Sequence, residues 1–248
     1  MEKAIGVLTS DFKLFHDLVK VLTSKGLPFV SLSFDDVIPP NTGVIITTAE
    51  EVEKIDFDKK VVCVNIQLAI AESIRILKGK ERFDELIIGI DPGAKPGVAV
   101  VGDGTILETR QAASPEEVAD MVEEIASSYP ANRIGLKIGH GDPTNRNRII
   151  NSLSSQEYEI EIVDEKGTTP RSDTPDQEAA TGIAFMKGHP ARKKYEIAPT
   201  PGEIKDIQNR SRKLSGGKIT ISKNLARMVA EGEITLEDAI QMMIEDMT

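Results

Sequence analysis

Short apolar runs alternate with amphipathic stretches over the first 85 residues of the chain. The apolar runs predict strands at 4–8, 28–32, 44–47 and 61–64. Helical spacing of apolar residues predicts a helix that starts after the capping residues 9–11, and a second helix over 68–77. Because strands that alternate with helices form mainly parallel sheets, we expect a small α/β domain at 1–85.

The order of the predicted elements changes after this first unit. Strands are predicted at 87–90, 97–101 and 105–109, then a helix capped by Ser114, a strand at 133–139, a helix from Pro143, a strand at 158–163 and a helix near Asp176. This β-β-β-α-β-α-β-α order predicts a mixed sheet flanked by helices, and we assign it to residues 86–198.

The last part of the chain, residues 199–248, is predicted to be a basic linker followed by a short helical tail. Ser222 and Thr235 are the predicted N-caps of two helices, and Gly232 is the predicted end of the first one. The final helix is acidic, which disfavours a DNA-reading helix-turn-helix. We expect this helix pair to dock a partner or to form a homodimer.

Composition narrows the class of protein. No apolar stretch reaches the ~20 residues of a membrane span, and the first residues do not resemble a signal peptide, so we expect a cytoplasmic protein without membrane contact. The single cysteine, Cys63, excludes an intrachain disulfide and is expected in the core. A net charge of −10 argues against non-specific nucleic-acid binding over the whole surface.

Charge is distributed unevenly along the chain. Residues 187–227 contain eleven basic and three acidic residues, which favours nucleic acid as a partner of this segment. Basic side chains in this segment and near the predicted sheet edge are the candidates for phosphate contacts. They are Lys95, Arg146, Arg148, Arg210, Arg212 and Lys213.

Acidic residues occur at three places, after two of the predicted strands and at the start of a predicted helix. Asp91 ends an apolar run, and burial of an ionised carboxylate is costly unless a cation or hydrogen bonds meet it. Asp164 and Glu165 end a later strand, and Asp176 and Glu178 open the next helix. If the first strand is central, these carboxylates meet at one edge of the sheet, where they would bind Mg²⁺ or Mn²⁺ for phosphodiester cleavage.

Four stretches resemble ribonuclease H-like nucleases of the archaeal RuvC/YqgF type. They are 88–93 with 97–100, 135–142, 163–169 and 176–180. The resemblance covers about residues 86–190 and implies a ribonuclease H-like fold, here between a Rossmann-like unit and a helical tail. It also implies a resolvase-like, Mg- or Mn-dependent nuclease that acts on branched or structured DNA or RNA. The implied catalytic residues are Asp91, Asp164, Asp176 and Glu178, and the implied metal ligands are Asp91, Asp164, Glu165 and Asp176.

One position departs from the pattern of this family. Lys137 occupies the place of a glutamate in the fourth strand, where a cation would repel a metal, so Asp142 or Glu165 would have to replace that glutamate. Two alternatives stay open, the second because actin-like ATPases share the turn at Asp91. The chain is a catalytically inactive nucleic-acid-binding or regulatory scaffold, or it is an actin-like ATPase, which needs a second copy of the fold with its own Asp-Gly turn.

Overall fold

A computed structural model of the chain describes residues 3–153, 158–164, 175–192 and 194–245. In these residues a four-stranded sheet is followed by a six-stranded sheet and then by three helices. The chain is thus an α/β protein with sheets flanked by helices and a helical C-terminal segment. None of the described helices is long and apolar enough to cross a bilayer.

The first sheet is parallel throughout, as the alternation of strands and helices predicts. Its elements are β1 (Ala4–Leu8), α1 (Phe12–Ser24), β2 (Phe29–Leu32), β3 (Thr42–Thr47), β4 (Lys60–Val62) and α2 (Ile66–Leu77). The strand order is β2-β1-β3-β4. Asp11 and Asn65 cap the two helices through their side chains. Cys63 lies just after β4 and is half-buried against the core, with burial raising the pKa of its thiol.

The second sheet has its earliest strand near the centre. Its elements are β5 (Phe83–Asp91), β6 (Gly97–Gly102), β7 (Thr105–Gln111), α3 (Glu117–Ser128), β8 (Ala131–Gly139), α4 (Pro143–Leu153), β9 (Glu159–Val163), α5 (Pro175–Phe185) and β10 (His189–Pro190). The strand order is β10-β9-β8-β5-β6-β7. Strands β5, β6 and β7 form an antiparallel meander, whereas β8 and β9 run parallel to β5.

Helices cover both faces of this sheet. Leu86, Ile88 and Ile90 of β5 are fully buried and share a core with the apolar stripes of α3 and α4. On the opposite face, α5 runs so close to β5 that a Cβ on Gly89 would lie 2.3 Å from the carbonyl oxygen of Ala180. Because side chains alternate along a strand, Asp91 shares the α5 face with Gly89.

Helix α3 starts later than the sequence predicts. Its N-cap position is Glu116, which makes no capping hydrogen bond through its side chain, and Ser114 lies two residues before that position. The carboxylate of Glu117 instead reaches back and accepts a hydrogen bond from the backbone N–H of Ala113. The predicted cap at Ser114 is therefore wrong, although the helix itself is present.

The C-terminal segment contains a helix that the linker interpretation does not include. Its helices are α6 (Pro201–Leu214), α7 (Lys223–Glu231) and α8 (Leu236–Glu245), with a small core of their own. A capping box between Thr200 and Glu203 starts α6, and Ser222 and Thr235 start the other two as predicted. Gly232 ends α7 with a φ of 77°, which favours glycine.

Candidate functional site

Two carboxylates share a cleft at the edge of the second sheet. Asp91 is the last residue of β5, and Asp176 lies in the first turn of α5. The cleft has a volume of about 400 Å³, and its walls come from the turn between β5 and β6 and from α5 and α6. The residues that line it are Asp91, Pro92, Gly93, Ala94, Lys95, Asp176 and Arg210.

A glycine at the start of β6 lets α5 approach the strand end. Gly97 pairs with Asp91 across the hairpin. A Cβ on Gly97 would lie 2.1 Å from the carbonyl oxygen of Asp176, a separation that non-bonded atoms do not adopt. The absence of a side chain at position 97 therefore allows the first turn of α5, and with it Asp176, to lie beside Asp91.

A neighbouring strand orients Asp176. The side-chain amide of Gln111 donates a hydrogen bond to Oδ2 of Asp176 over 2.7 Å, and Thr109 donates one to the side-chain oxygen of Gln177 over 3.1 Å. Gln111 pairs with Gly97 in the antiparallel ladder, which explains why it reaches the helix start. The sequence predicts a strand that ends at 109, so Gln111 was missed, and only the correct strand end would have revealed it.

The other predicted acidic ligands do not line this cleft. Asp164 follows β9, two strands from β5, and strand spacing puts its backbone roughly 10 Å from that of Asp91. Glu178 is exposed and lies about 200° around α5 from Asp176. Glu165 lies outside the described residues. Among the residues that the structure describes, no three His, Cys, Asp or Glu side chains form a group that could hold a metal.

Lys137 points away from the cleft, contrary to the expectation that it would repel a metal there. Its ammonium donates hydrogen bonds to the carbonyl oxygens of Ala184 and Met186, over 3.1 and 2.6 Å. These carbonyls lie at the C-terminal end of α5, about 12 Å along the helix axis from Asp176. The charge of Lys137 therefore stabilises the negative end of the helix dipole.

Asp142 caps a helix instead of replacing the missing glutamate. Its two carboxylate oxygens accept hydrogen bonds from the backbone N–H and the side-chain amide of Asn145, over 3.0 and 2.7 Å. This arrangement satisfies one of the free backbone N–H groups at the start of α4. Asp142 is thus occupied by its own helix, and it is absent from the lining of the cleft.

The predicted phosphate contacts divide into two groups. Lys95 and Arg210 line the cleft, and Arg212 and Lys213 are exposed in the last turn of α6. Arg146 and Arg148, in contrast, make internal contacts. Arg146 is only 7% exposed, lies over the ring of Tyr195 and donates hydrogen bonds to His140 and Asn147. Arg148 pairs with Glu116 and donates a hydrogen bond to Asn145.

A second polar cluster lies at the carboxyl end of the first sheet. Glu51 is buried, and its carboxylate accepts hydrogen bonds from the hydroxyl and the backbone N–H of Ser10 and from the hydroxyl of Thr48. Burial by itself would raise the pKa of Glu51, but these bonds and one from Thr9 lower it to about 2. The cluster ties the loop after β3 to the loop after β1.

Two segments of the chain are similar to known families. Residues 4–77 match a family described as a response regulator receiver-like domain, and residues 200–245 match one described as a three helical bundle domain. Asp91 and Asp176 lie outside both segments, whereas Arg210 lies in the second. No curated protein matches the chain.

Proposed function

We propose that this chain is a divalent-metal-dependent nuclease with a ribonuclease H-like fold, which hydrolyses phosphodiester bonds in branched or structured nucleic acid. The observation that carries the proposal is the cleft that Asp91 and Asp176 share. One carboxylate comes from the end of a central strand, and the other comes from the start of the helix that covers it. Two separate elements thus bring two carboxylates to one point, and a pair of carboxylates attracts a divalent cation.

The topology of the second sheet supports this assignment of the fold. An antiparallel meander of β5, β6 and β7 is followed by two parallel strands, each reached through a helix, with β5 between β6 and β8. This is the arrangement that the resemblance to RuvC/YqgF-type nucleases implies. It also puts Asp91 at the edge where α5 begins, because β5 ends there.

The donor set of the cleft fits a magnesium or manganese ion. Mg²⁺ is often held by one or two carboxylates, with waters and substrate phosphates completing its coordination. Asp91 and Asp176 would hold the ion, and Gln111 fixes the orientation of the second carboxylate. When bound, the ion supplies charge stabilisation at a phosphodiester. The basic segment 187–227, with Arg212 and Lys213 exposed on α6, would follow the phosphate backbone.

A catalytically inactive nucleic-acid-binding scaffold is the second candidate. It is favoured by one observation, namely that the described residues gather two carboxylates at the cleft and no group of three acidic or imidazole ligands. The actin-like ATPase alternative needs a second Asp-Gly hairpin, and the first sheet is parallel throughout its described residues. Homodimer formation and a cytoplasmic location stay predictions.

Replacement of Asp91 by asparagine tests the nuclease proposal. We expect Asp91→Asn to lower Mn²⁺- or Mg²⁺-dependent cleavage of branched DNA, RNA or hybrids by at least about a hundredfold, because the charge that holds the ion is lost. The matched control is Asp84→Asn on the same strand, an exposed aspartate that pairs with Lys80 and lies about 23 Å away along the strand. Denaturant unfolding should show that both variants are folded.

The outcomes separate the two candidates. Cleavage that persists in Asp91→Asn at the rate of Asp84→Asn contradicts the nuclease proposal. A wild-type chain that binds nucleic acid and takes up no Mn²⁺ in a titration supports the scaffold instead.

A further inference from the structure

We infer that the C-terminal helices α6, α7 and α8, here called the three-helix segment, complete the cleft. In this inference Arg210 of α6 and Lys95 together form a subsite for the phosphodiester group that is cleaved. The inference rests on the proposed nuclease function and adds a residue from a separate part of the chain to its site. The ligand is a phosphodiester oxygen of DNA or RNA, which carries the negative charge that these cations complement.

The walls of the cleft carry two acidic and two basic side chains. Asp91 and Asp176 come from the second sheet and its covering helix, whereas Lys95 comes from the hairpin turn and Arg210 from α6. A divalent ion on the carboxylates leaves a site that is positive overall, and a phosphate can then bridge the ion and the guanidinium. Arginine is suited to this role because its planar fork donates two parallel hydrogen bonds to phosphate oxygens.

The three-helix segment is fixed relative to the second sheet by contacts with α4. Burial opposes the lowered pKa of Glu203, which the backbone N–H of Thr200 and the nearby Thr144 hydroxyl favour, so Glu203 of α6 lies close to the first turn of α4. At the end of α7, a Cβ on Gly232 would lie 3.3 Å from Glu116 and 3.4 Å from Arg148. The ion pair of Arg148 with Glu116 thus lies against the segment that carries Arg210, which explains an internal structural role for Arg148.

Arg210 differs from its basic neighbour Arg212 in position and not in chemistry. Both arginines are exposed on the same helix, but they lie about 200° apart around its axis. Only Arg210 is among the residues that line the cleft. A comparison of the two therefore separates a specific contact at the cleft from the general attraction of a basic helix for nucleic acid.

The test compares Arg210→Ala with Arg212→Ala in the full chain. Each variant removes one positive charge and should weaken nucleic-acid binding, and the slope of log K against log salt should become shallower by about 0.9 for each phosphate that is no longer neutralised. We expect Arg210→Ala to lose at least about ten times more kcat than Arg212→Ala at saturating substrate. Added guanidinium chloride at millimolar concentration should restore part of the lost kcat in Arg210→Ala, and Arg210→Lys should retain more kcat than Arg210→Ala.

A binding experiment makes the inference independent of turnover. At matched ionic strength, and on phosphorothioate probes that resist cleavage, Arg210→Ala should cost more affinity for DNA or RNA in Mn²⁺ than in EDTA, because the ion draws the phosphate into the cleft. Arg212→Ala should cost the same affinity in both buffers. Branched DNA, duplex DNA, RNA and hybrids as separate probes identify which phosphodiester is bound.

The outcomes distinguish a failure of the subsite from a failure of the nuclease proposal. If Asp91→Asn abolishes cleavage while Arg210→Ala and Arg212→Ala lose equal kcat, the subsite is overturned and the nuclease stands. If the wild-type chain does not cleave, but the Mn²⁺-dependent difference in binding is present, the nuclease is overturned and Arg210 stands as part of a site that binds a phosphodiester without cleaving it. A wild-type chain that binds none of the probes overturns both.

Discussion

The two sheets of this protein treat a carboxylate at the carboxyl end of a strand in opposite ways. Glu51, beside β1 and β3, is 6% exposed and is held by hydroxyl groups from two loops. Asp91, at the end of β5, is half-buried and lines a cleft of about 400 Å³ together with a second carboxylate and two cations. The carboxylate of Glu51 is thus occupied by groups of its own loops, whereas that of Asp91 lies beside open space lined by charged side chains.

The first way to test this comparison is to disturb the packing that brings Asp176 to the cleft. We expect Gly97→Ala to lower the free energy of unfolding by about 1–3 kcal/mol, because the new methyl group would overlap the first turn of α5. It should also lower metal-dependent cleavage, since Asp176 moves with that turn. Denaturant unfolding and cleavage rates measure the two effects.

A glycine within α5 itself, Gly182, supplies the control. Gly182 has nothing within 4 Å of an added Cβ, so Gly182→Ala should stabilise the chain by about 0.5–1 kcal/mol through the ordinary preference of helices for alanine. Equal effects of the two substitutions would contradict the close approach of α5 to β6.

The hydrogen bonds that Glu51 accepts from Ser10 and Thr48, here called the Glu51 cluster, should make the free energy of unfolding depend on pH in acid. The pKa of this group lies near 2 in the folded chain, below its ordinary value of 4.5, so its stabilisation is fully present above about pH 4.5 and is lost as the pH falls through 2. Glu51→Gln should therefore lower the free energy of unfolding by about 1–3 kcal/mol at pH 7. The gap between wild type and variant should narrow between pH 4.5 and 2 in urea unfolding. Glu50→Gln, on the exposed neighbour, is the control, and a gap that stays constant over this range would exclude the cluster as its source.

Periodicity was sufficient to predict most elements and insufficient for the contacts between them. The meander and the alternating strands and helices were predictable, because the strands coincide with apolar runs and helices such as α1, α2 and α7 begin at a capping side chain. Helix α6 was missed since its buried stripe consists mainly of Ile204 and Ile207 among charged residues, and only the Thr200–Glu203 capping box marks its start. A one-dimensional pattern contains no information about which residues of distant segments meet, so the place of Arg210 beside Asp91 could not be predicted.

Register explains why the role of Lys137 was also misjudged. Lys137 pairs with Gly89, two residues before Asp91, and its long side chain extends along α5 toward the carbonyls at the helix end. The sequence pattern put the residue in the correct strand but gave no direction to its side chain. The positive charge at position 137 can therefore stabilise the C-terminal end of α5 without acting on the cleft.

The smallest expected effect separates these two roles of Lys137. Lys137→Met should lower the free energy of unfolding by about 0.5–1.5 kcal/mol, because two carbonyls of α5 lose a charged donor. Mn²⁺ affinity should change by about twofold or less, since a unit charge about 12 Å away in water and salt has little influence on a bound ion. Lys20→Met, on the exposed face of α1, controls for the loss of one charge from the chain. A rise of tenfold or more in the Mn²⁺ affinity of Lys137→Met alone would mean that the ammonium of Lys137 acts on the bound ion. It would contradict the assignment of Lys137 to the end of α5.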